Sequence, residues 1–366
     1  MIRFIKTFTK SIKSVIISNS VFIFKEGNQM TNKERIMKVL ANEPVDRVPI
    51  AFFHHFTGPD DWNMGLERPE AVERNIAGHI PALKKFVPDV IKIMNDTLMM
   101  MPLDVSFVDK VSDLYKIQAP KLDEAYAKAQ IDLTKRVVDI YKGVDAPIYV
   151  TSFSATWVLR NAFSVGLPVY GAEERMMQQF MKEDPEAIKY ALETLTDGIV
   201  ELNKVLLTEC GADGIYFSCN NQGGFFPDEF HKKYVAPSEK RVLAEAKKIR
   251  NTHILHICGY HGHGNDLKLY TDYDAAAYSV AVNAEGVTMA EAKKLFGGRC
   301  VIGGFSQDGV IYTGTKEELK KATWDILDNC GQIGVIVGDD CTVPNDIDDD
   351  RFNWVREACI EYAAQH

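Results

Sequence analysis

The segment that decides the fold is THILHIC, residues 252–258, where Ile254, Leu255 and Ile257 form most of a short apolar run. A strand with one face in water alternates apolar and polar residues, whereas a strand covered on both faces reads as a nearly continuous apolar run. We therefore predict a buried strand of a parallel sheet here. Seven other runs have the same character: VPIAFF (48–53), DVIKIM (89–94), APIYVTSF (146–153), GIYFSC (214–219), AAYSVAV (276–282), CVIGGF (300–305) and GVIVG (334–338).

Longer amphipathic stretches separate these eight runs, for example PEAVERNIAGHIPALKKF (69–86) and TKEELKKATWDILDNCG (315–331). Eight strand-and-helix units without a break in composition favour a closed barrel over an open sheet. We therefore predict a single α/β domain, a (β/α)8 TIM barrel, over residues 30–366. A first helix should begin at Thr31, because Glu34 follows at the spacing of a capping box.

Residues 1–29 differ from the rest of the chain, being basic and apolar with no acidic residue before Glu26. They resemble the start of a targeting segment, but no small-residue cleavage site follows the apolar stretch. We expect Met30 to be the true start and residues 1–29 to be a non-native or disordered extension. Mass spectrometry of the native protein would test this.

The bulk composition is that of an ordinary soluble globular protein, with 46% hydrophobic and 25% charged residues. The formal charge of −9 lacks the basic footprint of a nucleic-acid-binding protein, and we expect neither a nucleic-acid nor a membrane partner. The chain has seven cysteines, and an odd number cannot all pair in disulfides. This count fits a reducing compartment, so we expect a cytoplasmic protein.

Polar residues follow the predicted strands at their C-terminal ends, which is where barrels of this type carry their chemistry. His256 and Cys258 are two residues apart on one strand, so their side chains point the same way. Cys341 follows the eighth strand and reaches the same mouth. A lone strand cysteine is more often a buried filler, but two thiolates and one imidazole form the three-ligand set of a catalytic zinc site with an open fourth position.

The chain also resembles a known superfamily, that of uroporphyrinogen decarboxylase. The resemblance rests on the order and spacing of several segments and runs essentially from Met30 to the C-terminus. These segments are NKERIMKVLANEPVDRVP (32–49), DVIKIMNDTLMMMPLDV (89–105), GGFFPDEFHKKYVAPSEKRV (223–242), LHICG (255–259), MAEAKKLFGGRCVIGG (289–304) and YTGTKEEL (312–319).

This superfamily contains two chemistries, and the resemblance separates them. Its decarboxylases carry an arginine-bearing segment after the first strand, but residues 52–58 here read FFHHFTG and contain no arginine. Its other branch comprises methyltransferases that hold zinc on a His-x-Cys and a later Cys, the pattern matched by His256, Cys258 and Cys341. The resemblance thus implies methyl transfer between a corrinoid, carried by a small partner protein, and a thiol acceptor or small methyl donor.

Three further residues are candidates for the catalytic site. Asp96 falls where the decarboxylases carry their catalytic aspartate; it could orient a ligand or hold a substrate, or equally cap a helix. His54 and His55 lie where those enzymes bind substrate, and adjacent residues at a strand end face opposite ways, so one of them should line the pocket. His261 and His263 lie close enough to Cys258 for a second metal set, although a glycine-rich loop with histidines is more often a mobile lid.

Two alternatives remain open from the sequence. One is a metal-free decarboxylase of porphyrin metabolism, and the other is a non-catalytic barrel that binds a corrinoid protein. The zinc content of the purified protein separates the first from methyl transfer.

Overall fold

The computed structural model describes residues 30–164, 172–259 and 264–366. Eight strands form one parallel sheet covered by helices, which confirms the predicted (β/α)8 barrel class. The predicted extension 1–29 lies outside the described residues, as do His261 and His263. The strands are β1 (Ile50–Ala51), β2 (Ile91–Lys92), β3 (Ile148–Phe153), β4 (Gly214–Cys219), β5 (Ile254–Ile257), β6 (Ala277–Val280), β7 (Cys300–Phe305) and β8 (Val335–Asp339).

The helices lie in the connections between the strands and at both ends of the described chain. A π-helical turn, His231–Val235, joins the helix Asp228–Phe230 to the helix Ala236–Lys247. The helices are α1 (Asn32–Leu40), α2 (Pro69–Lys85), α3 (Ala125–Ile140), α4 (Ala155–Ser164), α5 (Ala172–Glu183), α6 (Pro185–Thr208), α7 (Asp228–Phe230), α8 (Ala236–Lys247), α9 (Val282–Glu285), α10 (Met289–Leu295), α11 (Val310–Thr313), α12 (Lys316–Cys330) and α13 (Asp350–Ala363). No helix of the described ranges is both long and apolar enough to span a bilayer.

The strands are hydrogen-bonded in the order β1-β8-β7-β6-β5-β4-β3-β2. Their register places His256 directly between Ser218 of β4 and Ser279 of β6. Because side chains alternate along a strand, every second residue of each strand faces the barrel interior. The apolar residues that face the interior form one cluster. It includes Phe53, Tyr149, Tyr216, Ile254, Ala277, Cys300, Ile302 and Ile336.

Helix α1 closes the N-terminal end of the barrel. Its N-cap is Thr31, whose hydroxyl accepts a hydrogen bond from the backbone N–H of Glu34 at 3.1 Å, as the sequence predicts. Ile36 and Val39 of this helix belong to the interior cluster and are fully buried. The part of the barrel interior near the C-terminal ends of the strands, which carries the polar residues, is therefore accessible from that end, here called the mouth. Helix α1 covers the opposite end.

Strands β1 and β2 stand at the two ends of the hydrogen-bonded order, and a buried ion pair bridges the seam between them. The Asp89 carboxylate, just before β2, accepts hydrogen bonds from the Arg47 guanidinium at 2.6 and 2.7 Å and from the backbone N–H of Ile50 in β1 at 3.0 Å. Both strands are shorter than the predicted runs 48–53 and 89–94. At the seam a side chain takes the place of ladder hydrogen bonds, and Pro49 has no N–H to donate.

The buried Asp89 should contribute strongly to stability. Burial alone would raise its pKa, but Arg47 and neighbouring donors lower the pKa to about 2. We expect Asp89→Asn to reduce the free energy of unfolding by about 3–5 kcal/mol at pH 7, since Arg47 is left buried without its partner. Because the folded pKa lies below the unfolded value of 3.8, this contribution should vanish as the pH falls from about 4 to 2.

Guanidinium denaturation curves at several pH values measure this difference. The matched control is Asp325→Asn, which breaks the exposed pair with Lys321 and should change stability little. Equal stability of Asp89→Asn and the wild type would contradict the role assigned to the seam.

Candidate metal centre at the barrel mouth

Three side chains from distant parts of the chain meet at the C-terminal end of the barrel. His256 lies in β5, Cys258 directly follows that strand, and Cys341 follows β8. The ligand atoms of the three residues all lie within 4.8 Å of one another. His256 is buried, whereas Cys258 and Cys341 are partly accessible, as expected for a site at the floor of an open mouth.

The turn that carries Cys341 is tied to its neighbours on both sides. The backbone N–H of Asp340 donates to the carbonyl of Phe305 at 2.9 Å, and the N–H of Val343 donates to the carbonyl of Phe53 at 2.9 Å. The Asp340 carboxylate accepts from the backbone N–H groups of Asn283 and Ala284, each at 3.2 Å, at the start of α9. Asp340 therefore anchors the turn.

The sulfur atoms of Cys258 and Cys341 lie within 4.8 Å of each other, so each thiol affects the pKa of the other. Hydrogen bonding to Cys341 raises the pKa of the Cys258 thiol, and burial raises it further. Donation from Cys258 lowers the pKa of Cys341 below 9.0, and a hydrogen bond from His256 lowers it again, against the opposing effect of burial. The direction of the Cys341 pKa shift favours the thiolate, which is the form of cysteine that binds metal.

The donor set of this cluster fits a zinc ion. Thiolate sulfur and imidazole nitrogen are the ligands that zinc prefers, and three of them leave one tetrahedral position open. Magnesium and calcium prefer oxygen ligands, whereas these three side chains offer only sulfur and nitrogen.

Asp96 is held by an internal lysine that sequence analysis did not single out. Lys92 is buried, and its ammonium lies 2.8 Å from an Asp96 carboxylate oxygen, while the Thr151 hydroxyl donates to the other oxygen at 3.2 Å. Burial would raise the pKa of Asp96, but the Lys92 charge and nearby donors lower it to about 2. Lys92 falls inside a predicted strand run, and a lysine in such a run is the signal that could have found it.

The two adjacent histidines point to different surroundings. The Nε2 of His54 lies 3.0 Å from the Asp349 carboxylate at the start of α13, in an aromatic cavity between the barrel wall and the helices. The Nδ1 atom of His55 shares a hydrogen bond with the Thr97 hydroxyl at 3.2 Å. Burial lowers the pKa of His55, and the charges of Asp96 and Cys341 oppose that shift, which places His55 on the side of the mouth.

Asp339 is a further carboxylate near the cluster. It is buried, and its Oδ2 atom has no hydrogen-bond partner among the described residues. Burial raises its pKa well above 3.8, and the nearby Cys341 charge raises it further. It can therefore present a hydrogen-bonding group to a molecule bound at the mouth.

Cys219, which also ends a predicted strand, belongs to a different polar cluster. That cluster surrounds Glu239 of α8, which accepts a hydrogen bond from the Tyr273 hydroxyl at 2.6 Å. His231 lies 3.7 Å from the same carboxylate and is fully buried. Burial raises the pKa of Glu239 to about 7 and that of the Cys219 thiol well above 9.0. Cys219 is therefore separate from the three-residue cluster.

The fold and this cluster define a barrel with a candidate metal centre at its C-terminal mouth. Residues 110–362 match the family model described as Uroporphyrinogen decarboxylase (URO-D), and the chain belongs to that family. A curated relative, the methylcobamide:CoM methyltransferase MtbA of Methanosarcina mazei, is 24% identical over 82% of this chain and 90% of its own length.

Two solved structures share the fold. A methyltransferase from Methanosarcina mazei aligns with a TM-score of 0.67 at 15% identity, covering 91% of this chain and 99% of its own. A B12-independent methionine synthase from a Shewanella species aligns with a TM-score of 0.50 at 13% identity, covering 87% of this chain and 98% of its own. At these identities the likeness concerns the fold alone.

Replacing Lys92 by methionine keeps most of the side chain but removes the cation that pairs with Asp96. We expect the free energy of unfolding at pH 7 to fall by about 3–5 kcal/mol, because an ionised carboxylate is then buried alone. The double variant Lys92→Met/Asp96→Asn should recover much of this loss. Chemical denaturation of the wild type, the two single variants and the double variant measures the coupling energy between Lys92 and Asp96. If the two single substitutions have additive effects on the free energy of unfolding, the two side chains are not coupled.

Glu239 should make stability depend on pH in the opposite direction to Asp89. Its folded pKa of about 7 exceeds the unfolded value of 4.5, so its contribution is complete below about pH 4.5 and is lost as the pH rises through 7. Glu239→Gln should remove this decline, which makes the variant gain on the wild type between pH 5 and 8. Thermal unfolding across that range tests the expectation, and parallel curves would contradict it. The other titratable groups facing Glu239 are His231, Tyr270, Tyr273 and Cys219, and they are unchanged in the comparison.

Proposed function

We propose that this protein is a zinc-dependent methyltransferase that moves a methyl group between a corrinoid on a separate small protein and a thiol or small methyl donor. The observation that carries the proposal is the convergence of His256, Cys258 and Cys341 within 4.8 Å at the open end of the barrel. The similarity to a methylcobamide:CoM methyltransferase over 90% of that protein's length supports the same assignment.

The roles of the residues follow from their chemistry. Cys258 and Cys341 would hold the ion through sulfur, and His256 through a ring nitrogen. Zinc bound there would supply a Lewis acid that keeps a substrate thiol in its nucleophilic thiolate form. The corrinoid on the partner protein would supply the methyl group to this thiolate and retain the electron pair of the bond that breaks, while the thiol proton would pass to solvent. Transfer in the other direction, from a small methyl donor to the corrinoid, would use the same three ligands and the same ion.

The residues around the cluster would position the substrate. His55 and Asp339 lie on the side of the mouth, where each can offer a hydrogen bond. Asp96, paired with Lys92, supplies fixed charge near the metal, and we assign it to positioning rather than to proton transfer because its pKa of about 2 keeps it ionised. His54 is engaged with Asp349, and we assign it to holding α13 against the barrel wall.

The decarboxylase alternative is less well supported by these contacts. A catalytic aspartate at position 96 would have to share its carboxylate between the substrate and the Lys92 ammonium and Thr151 hydroxyl, which already donate to its two oxygen atoms. The segment 52–58 also lacks the arginines that would pair with several substrate carboxylates. We therefore favour methyl transfer.

Removing one sulfur ligand should abolish zinc binding and methyl transfer together. We expect Cys258→Ala and Cys341→Ala to contain little zinc and to lose demethylation of methylcobalamin with thiol or folate acceptors, followed by absorbance. Cys330→Ser is the matched control, because that cysteine lies in α12, away from the cluster. Metal-free protein with full activity would refute the proposal, and failure with every acceptor would redirect it to the donor-side reaction.

A further inference from the structure

The imidazole of His256 is held from behind by two hydroxyl groups. Its Nδ1 atom lies 3.0 Å from the Ser279 hydroxyl and 3.2 Å from the Tyr216 hydroxyl, and these two oxygens lie 2.7 Å apart. His256 is 5%, Ser279 1% and Tyr216 4% exposed. Inside a buried site such contacts determine the orientation of the ring.

The strand register brings these three residues together. Ser279 of β6 stands directly beside His256 of β5, and Tyr216 of β4 lies one interior position lower, so that its hydroxyl reaches up to the same nitrogen. The Tyr216 ring is itself fixed, since Phe53 packs edge-on against it at 5.8 Å and the Lys92 ammonium lies 5.2 Å from its centroid. The hydroxyl pair is thus a rigid part of the barrel interior.

Because Nδ1 is engaged by the hydroxyls, Nε2 is the ring nitrogen left for the two sulfurs. A hydroxyl can both donate and accept a hydrogen bond, whereas an ionised carboxylate can only accept. Ser279 and Tyr216 can therefore satisfy Nδ1 whether it carries a proton or a lone pair. Nε2 can therefore bind a metal without rotation of the ring.

We propose that Ser279 and Tyr216 are positioning residues that aim Nε2 of His256 at the metal, an inference that rests on the proposed zinc site. Groups behind a metal-binding histidine fix its orientation and tautomer, and their loss typically costs a factor of about 10–100 in metal affinity. Ser279→Ala and Tyr216→Phe should each weaken zinc binding by about that factor while leaving both sulfur ligands in place.

The experiment measures zinc affinity of the full-length protein by competition with a chromophoric chelator. Ser279→Ala and Tyr216→Phe are compared with Ser279→Thr, which keeps the hydroxyl and should retain near wild-type affinity. The matched control is Ser238→Ala, which removes an equally buried hydroxyl bonded at 2.8 Å to the carbonyl of Val235 in the outer layer. With cobalt(II) in place of zinc, the two hydroxyl-less variants should keep the thiolate charge-transfer band and show altered d–d bands.

A second measurement needs no variant. In wild-type protein with ¹⁵N-labelled histidine, zinc should move the resonance of His256 Nε2 and leave Nδ1 protonated. Wild-type affinity in both hydroxyl-less variants, an equal loss in Ser238→Ala, or zinc on Nδ1 would each overturn the inference. A wild-type protein that binds zinc and transfers no methyl group would instead refute the proposed function, so the two failures are distinguishable.

Discussion

The candidate site depends on the two-residue period of a parallel strand held in a barrel. In β5 this period turns His256 and the following Cys258 toward the same interior, and in β6 it turns Ser279 beside them. Beyond the end of β1 at Ala51, the adjacent histidines also have different neighbours, since His54 contacts Asp349 and His55 contacts Thr97. A shift of one residue in any of these strands would exchange ligands for packing residues.

The barrel interior is divided into an apolar lower half and a polar upper half. Below, Ile36 and Val39 of α1 pack against interior residues such as Ile254 and Ile336, which closes that end to water. Above, Lys92 and Asp96 are buried as a hydrogen-bonded ion pair. The arrangement gives a small polar site above an apolar floor, where charged groups interact more strongly than they do in water.

The rigidity of the site comes from contacts that are themselves distant in sequence. The turn that carries Cys341 is fastened through Asp340 to the start of α9 and through Val343 to Phe53 beyond β1. Asp89 bridges the seam between the first two strands. Each of these contacts joins neighbours in the barrel, so the separation of the sulfurs depends on the whole ring of strands.

The sequence by itself determined the barrel class, the eight strand positions and the three candidate ligands, because apolar periodicity and the spacing of His256 and Cys258 are local properties of the chain. It also favoured methyl transfer over decarboxylation through the missing arginines of residues 52–58. Only the tertiary structure decided that Lys92 pairs with Asp96, that Tyr216 and Ser279 meet at His256, and that Cys219 belongs elsewhere. These pairings depend on strand register and barrel curvature, which place side chains from separate strands within hydrogen-bonding distance and leave no periodic trace in the sequence.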